Sequence, residues 1–251
     1  MNQKLLNYIL FILFIVVLLI SSFTLSNGCN KIDKEATVTQ RQEQGKQING
    51  QNENIEKGEE VILPKPWLKS NISLEEALNN RRSVRQFKPV DLKLEDISQI
   101  LWAAQGITEI STGFRTAPSA GALYPLELFI VKSDGLFQYV PESHKLKKLN
   151  SSDLRSELMK TSLSQKSVSE APVDIVITAI YERTTVKYGN RGIRYVHMEA
   201  GHACQNILIE AAALELGAVP IGAFSDTEVQ KVLGLPKDYI PLYVVPFGYI
   251  K

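Results

Sequence analysis

The chain has 251 residues, a formal net charge of +1 and 44% hydrophobic residues, with two cysteines. The near-neutral charge offers nothing to nucleic acid or to an anionic surface, and two cysteines exclude a tetrathiolate zinc site. The length suits one well-cored domain preceded by segments of another character.

Residues 5–25 carry no charge and follow a single Lys4. As a helix they would span roughly 30 Å, the thickness of a bilayer core. Two readings stand side by side: an uncleaved signal anchor, or a lipoprotein signal ending at Ser26-Asn27-Gly28-Cys29 with lipidation of Cys29. Both tether the chain to a membrane through its N-terminus. Lys31 and Lys34 follow closely and weaken the positive-inside signal, and the expectation is a catalytic domain outside the cytoplasmic membrane. Residues 30–62 are rich in Gln, Asn, Glu and Lys, so a disordered polar linker is expected there. Pro64-Lys65-Pro66-Trp67 marks the entrance to a single domain over 63–251.

Within that domain Ser73-Leu74-Glu75-Glu76 reads as a capping box opening a helix to about Asn80. Leu94, Ile97, Ile100, Leu101 and Ala104 share one helical face, ended by Gly106. A strand over 127–131, a turn at Asp134-Gly135 and a strand over 136–140 form a hairpin. A helix is expected over 153–164, and the apolar run 173–180 suits a central strand buried on both faces. A long alanine-rich helix is expected from about Tyr195 to Leu216, capped by Gly217, then a short strand over 218–221. Ser225-Asp226-Thr227-Glu228 reads as a second capping box whose helix stops at Gly234, and residues 242–249 close the domain as a strand. Interleaved helices and strands with one hairpin give an α+β fold with a mixed sheet.

Two segments carry the chemistry. Arg81, Arg82, Ser83 and Arg85 place three guanidiniums and a hydroxyl directly after a short helix, a donor set suited to a doubly charged phosphate. The competing reading is a solvated helix end whose arginines serve the C-terminal dipole, and Arg82 is the one expected to face solvent. Thr116 to Pro125 is a run of small residues bracketed by prolines, which lets backbone amides approach a flat ring, although an ordinary tight turn has the same composition. Together the two segments point to a flavin mononucleotide site.

With Leu101-Trp102-Ala103-Ala104-Gln105-Gly106, Tyr188-Gly189-Asn190-Arg191-Gly192, Glu199-Ala200-Gly201-His202 and the closing Pro246-Phe247-Gly248-Tyr249, these motifs resemble the nitroreductase-like flavoprotein family. Among its members the chain is most similar to the SagB-type branch, which includes azoline dehydrogenases. Many nitroreductases carry an asparagine where Gly121-Ala122 stands, and its absence favours that branch. The resemblance implies a homodimer with FMN at the subunit interface. Arg81, Ser83 and Arg85 would hold the phosphate and ribityl chain, Pro118, Ser119, Ala120 and Gly121 would lie near the ring, and Gly222 and Ala223 over it. It also implies a catalytic role for Lys187-Tyr188, the lysine serving as a base if desolvated, while the flavin takes a hydride. The same stretch, 184–192, reads equally as a polar surface loop.

His197 and His202 point away from each other on a helix and cannot share a metal. Cys204 reads as a core residue, Trp67 and Trp102 as packing, and Glu199 as a partner of Arg194 or of a flavin-site arginine. The resulting expectation is an FMN-dependent oxidoreductase exchanging hydride through flavin N5 with a small-molecule or peptide-derived substrate. Its electron donor would be NAD(P)H or, for a domain outside the cytoplasmic membrane, a quinol. The alternatives are a membrane-tethered flavin or small-ligand binding module without turnover, and a subunit of an azole-forming peptide-modifying complex.

Overall fold

The computed structural model describes residues 59–251. The expected anchor or lipoprotein signal at 1–29, Cys29 included, and residues 30–58 of the expected linker lie outside the described residues. Among the described residues no helix is long and apolar enough to cross a membrane.

The first elements are β1 (Glu60–Ile62), α1 (Leu74–Asn80), α2 (Leu94–Gln105), β2 (Ile107–Glu109) and β3 (Phe114–Arg115). A 3-10 turn at Ala120–Ala122 precedes β4 (Leu126–Lys132) and β5 (Gly135–Val140), and a second at Pro141–Ser143 precedes β6 (Lys145–Asn150). Then come α3 (Arg155–Thr161), α4 (Lys166–Glu170), β7 (Val173–Ala179), α5 (Glu182–Tyr188) and α6 (Arg191–Ala213). The chain closes with β8 (Leu216–Ala218), α7 (Asp226–Leu233) and β9 (Ile240–Tyr249).

Seven strands form one sheet in the order β1-β6-β5-β4-β7-β9-β8, and each neighbouring pair is antiparallel. A single parallel bridge, Ser83 to Ala218, extends the β8 edge and makes the sheet mixed. The expected α+β fold, a mainly antiparallel sheet flanked by helices, is the one that forms. β7 is buried at every position, as its unbroken apolar run requires of a strand covered on both faces.

Period-two alternation divides the core. Leu128, Ile130, Ile175 and Ile177 face one layer with Ile97, Ile100 and Leu101 of α2 and Val196, Ala203 and Ile207 of α6. Phe129, Val131 and Val176 face the other, with Leu158, Val168 and Val229 of α3, α4 and α7. Fully burying each such side chain is worth about 1.5–3 kcal/mol. Alanines on both helices let α2 and α6 approach closely enough for Asn206 Nδ2 to donate to the carbonyl of Ala103 at 3.0 Å.

Several expectations are met element by element. Ser73 and Glu76 form the reciprocal capping box of α1, Gly234 ends α7 in a left-handed conformation, and the β4–β5 hairpin turns where expected. Others need correction. Residues 60–62, assigned to the linker, form strand β1 against β6. The helix expected over 153–164 stops at Thr161, and α4 follows it. The long helix runs over Arg191–Ala213 instead of 195–216, and Gly217 lies in β8. Gly217 is needed there for close approach, because a Cβ on it would lie 2.6 Å from Val84 Cγ1. The second capping box does not form, since Ser225 makes no side-chain cap bond. The stretch around Lys187 is a helix, α5, and not a loop.

Candidate functional site

The arginine segment leaves α1 in extended backbone. The Val84 N–H donates to the carbonyl of Ala218 at 3.0 Å and the Lys88 N–H to that of Tyr249 at 2.9 Å, so residues 83–88 run along the end of the sheet. Extended backbone sends alternate side chains to opposite faces. Val84 packs against Gly217, which leaves Arg81, Ser83 and Arg85 on the other face. Neither the Arg81 nor the Arg85 guanidinium has a hydrogen bond or ion pair among the described residues. Arg82 differs: its Nη1 donates to the carbonyls of Asn79 at 2.7 Å and Arg81 at 2.8 Å, closing the helix end. Among the described residues two arginines are thus left to an anion and the third is a cap.

The small-residue loop holds several residues in the left-handed region. Gly121, Ala122 and Tyr124 have φ of 66°, 54° and 45°, and each non-glycine among them costs on the order of 1 kcal/mol. Tyr124 is clamped on every side. Its N–H donates to Ser119 Oγ at 2.9 Å and its hydroxyl accepts the Arg115 N–H at 3.1 Å. Its ring lies 4.6 Å beneath the Arg115 guanidinium, and its carbonyl accepts Arg183 Nη1 at 3.2 Å. Arg183 is itself fixed by Glu127 at 2.6 Å and Arg115 by Glu142 at 3.1 Å.

Helix α5 closes over this loop. A Cβ on Gly121 would lie 2.8 Å from Tyr188 Oη and 2.9 Å from Lys187 Nζ, so both expected catalytic residues stand against the loop expected to hold the ring. Arg183 and Lys187, four residues apart on α5, reach the loop from one helix face. The Tyr188 ring meets Tyr195 of α6 edge-on at 5.2 Å. Gly222 and Ala223 are exposed, and the Ala223 carbonyl accepts Gln165 Nε2 at 3.3 Å. Among the described residues no hydrogen bond, ion pair or ring contact joins them, or Arg81, Ser83 and Arg85, to the 118–121 loop. One chain therefore brings the loop of Pro118, Ser119, Ala120 and Gly121 together with Lys187 and Tyr188.

Beneath the loop lies a polar group that sequence reasoning did not assemble. Glu199 of α6 is 2% exposed. Burial pushes its carboxyl up to about 7, against the pull of the Ser119 hydroxyl, the Arg115 charge and the Gln105 amide. Glu199 Oε1 and Gln105 Nε2 are buried with no partner at full hydrogen-bond geometry, while Gln105 Oε1 accepts Arg115 Nη1 at 3.1 Å. The expected pairing of Glu199 with Arg194 or a flavin-site arginine is replaced by this set. Cys204 is a core residue, its thiol pushed up to about 12 by burial.

Residues 78–249 match the model of the Nitroreductase family. The Methanocaldococcus jannaschii protein MJ1384, named provisionally as a nitroreductase, is 44% identical over 183 residues, covering 70% of this chain and 91% of its own. The microcin B17-processing protein McbC of Escherichia coli is 27% identical over 171 residues, 62% of each chain. A crystal structure of a provisionally named nitroreductase from Ralstonia eutropha JMP134 superimposes with a TM-score of 0.70 at 28% identity, covering 76% of this chain and 90% of that one. Motifs, fold and matches agree: this chain belongs to the nitroreductase family, with its SagB-type likeness carried by McbC.

Proposed function

We propose that this member of an oxidoreductase family is an FMN-dependent enzyme. The observation that carries the reading is the placement of Lys187 Nζ and Tyr188 Oη against Gly121. An amine and a phenol at that point are groups able to hold or move a proton beside a bound ring.

The residues fit the cofactor. Arg81 and Arg85 are charged forks without partners among the described residues, the donor set that a phosphate pairs with bidentately. Gly121 leaves no room for a side chain, so the loop backbone itself is the surface presented beside Lys187 and Tyr188. Bound flavin would supply hydride exchange at N5. The chain's own part is to orient, to exclude water and to hold a proton at Lys187 Nζ or Tyr188 Oη.

A homodimer in which two copies complete each site, as the family resemblance implies, belongs to this reading. Leu74 and Leu78 of α1 and Ile193 and Met198 of α6 are exposed apolar residues available to such an interface. The membrane tether expected at residues 5–25, with the domain outside the cytoplasmic membrane, stays part of this proposal. It favours a quinol or another membrane redox partner over NAD(P)H, and a small-molecule or peptide-derived substrate.

The test is the absorbance spectrum of the purified chain, followed by anaerobic reduction and reoxidation of wild type, Lys187→Ala and Tyr188→Phe. Flavin bands in all three, with reoxidation by substrate slowed only in the variants, is the expected result. A colourless protein that FMN does not reconstitute would overturn the reading.

A further inference from the structure

We propose that Glu199 is the positioning residue of the 119–124 loop: its ionised carboxylate takes up the Ser119 hydroxyl and the Gln105 amide from beneath, and FMN affinity follows its charge. The inference rests on the reading of this loop as part of the flavin site.

The donors are committed by their other partners. Ser119 Oγ already accepts the Tyr124 N–H, so its single proton is free for Glu199. Gln105 Oε1 is taken by Arg115, which turns Nε2 toward the carboxyl. Buried Glu199 thereby acts through half-buried Ser119 on Tyr124, and so on the loop that holds the left-handed residues Gly121 and Ala122. A carboxylate has an oxygen for each donor. The protonated acid keeps one good acceptor and adds a proton, whereas the oxygens of Ser119 and Gln105 are already engaged. Protonation therefore weakens one of the two anchors and removes the charge that strengthens both.

Among the described residues Glu199 has no ion pair. Arg115 is the cation that acts on it, and that guanidinium is divided between Glu142 and Gln105. The other titratable groups around the set are Lys187 and Tyr188 across the loop, and Tyr195 and His202 one turn away on α6. A buried carboxyl without an ion pair is expensive to keep. Its placement under the one strained loop of the site gives that expense a purpose, and its rise toward neutrality places the change of charge near pH 7.

The experiment is hydrogen exchange of the full chain, followed by mass spectrometry at about pH 6 and about pH 8 and corrected for intrinsic rates, with FMN affinity measured alongside. In wild type the peptide covering 118–125, which holds the Tyr124 and Ala122 amides, is expected to be roughly tenfold better protected at the higher pH. FMN binding should tighten by a similar factor. In Glu199→Gln both readouts should be flat with pH and sit at the low-pH level, because an amide offers one acceptor where the carboxylate offers two. Unchanged protection over 173–179 shows that the variant is folded. If Glu199→Gln does not fold, Ser119→Ala removes the same anchor from the loop side. Loop protection in the variant equal to wild type, or a pH slope shared by both, overturns the proposal. FMN binding with a slope that Glu199→Gln retains also overturns it and leaves the flavin reading standing. The expected loop protection in a chain that never binds FMN overturns the cofactor half and the flavin reading, and leaves the clamp.

Discussion

Tyr188 Oη stands 2.8 Å from the point where a Cβ on Gly121 would fall, so the loop and helix α5 are fitted to each other through an absent side chain. Gly121→Ala meets two penalties at once. Its φ of 66° is costly for alanine, about 1 kcal/mol, and the new methyl displaces Tyr188 and Lys187. The expected result is a melting temperature lower by a few degrees, and FMN affinity weakened about tenfold if the displaced pair belongs to the site. Thermal melts and a fluorescence titration measure both, and wild-type affinity in this variant would make the contact incidental.

The arginine segment allows a sharper contrast. Arg81→Ala and Arg85→Ala remove guanidiniums with no partner among the described residues, so stability should change by less than about 0.5 kcal/mol. Each should weaken FMN binding by about 1.5–3 kcal/mol, the worth of a hydrogen bond to a charged group. Arg82→Ala should do the reverse. It releases two carbonyls at the end of α1, costing a few tenths of a kcal/mol in stability, and leaves affinity alone. Equal affinity losses at all three positions would mean a general electrostatic field in place of a built phosphate site.

The parts that were legible in the sequence are those specified locally. The capping box of α1 and the apolar run of β7 are complete within a few residues. Strand β6, Lys-Leu-Lys-Lys-Leu-Asn, was not legible, because its two leucines are three apart and do not alternate, yet it fills the place between β1 and β5. Helix α5 was missed for a related reason: Thr184, Thr185 and Val186 are β-branched and weaken helix propensity, and it forms because Thr184 is buried and Arg183 is tied to Glu127. The Glu199 set draws on α2, β3, the 119–124 loop and α6. No spacing within the chain announces a cluster assembled from four separate segments.

Titration of Glu199 should also appear in global stability, with opposite sign to its action on the loop. Its folded pKa of about 7 lies above the ordinary 4.5, so the folded chain holds this proton more tightly than the unfolded one. Stability is unaffected below the unfolded value and is lost as pH rises from about 4.5 through 7. The full difference is at most roughly 3 kcal/mol. Between about pH 5 and 8 the melting temperature of wild type should therefore fall more steeply than that of Glu199→Gln. Parallel profiles would mean that the carboxyl titrates normally in the folded chain.

Asp174 is a second buried carboxyl. It lies fully buried on β7, facing the layer of Phe129, Val131 and Val176, and both carboxyl oxygens lack a hydrogen-bond partner. Burial raises its pKa well above the usual carboxylate range; the Arg155 charge opposes the shift and Asp153 adds to it. Arg155 is committed elsewhere, forked onto Asp153 at 2.6 and 2.8 Å and donating to the Ala171 carbonyl at 3.1 Å. As with Glu199, the raised value means stability is lost as pH climbs above the ordinary carboxylate pKa, where the unfolded chain ionises first. Asp174→Asn removes the ionisation at constant shape. Near pH 8 it should stabilise the chain by about 2 kcal/mol, a rise in melting temperature of roughly 4 °C or more. The gain should shrink to nothing as pH falls well below about 4, where aspartic acid is neutral in both states. Destabilisation at pH 8 would show instead that Asp174 is ionised and paired with Arg155 in solution, and that breaking this buried pair is what the substitution does.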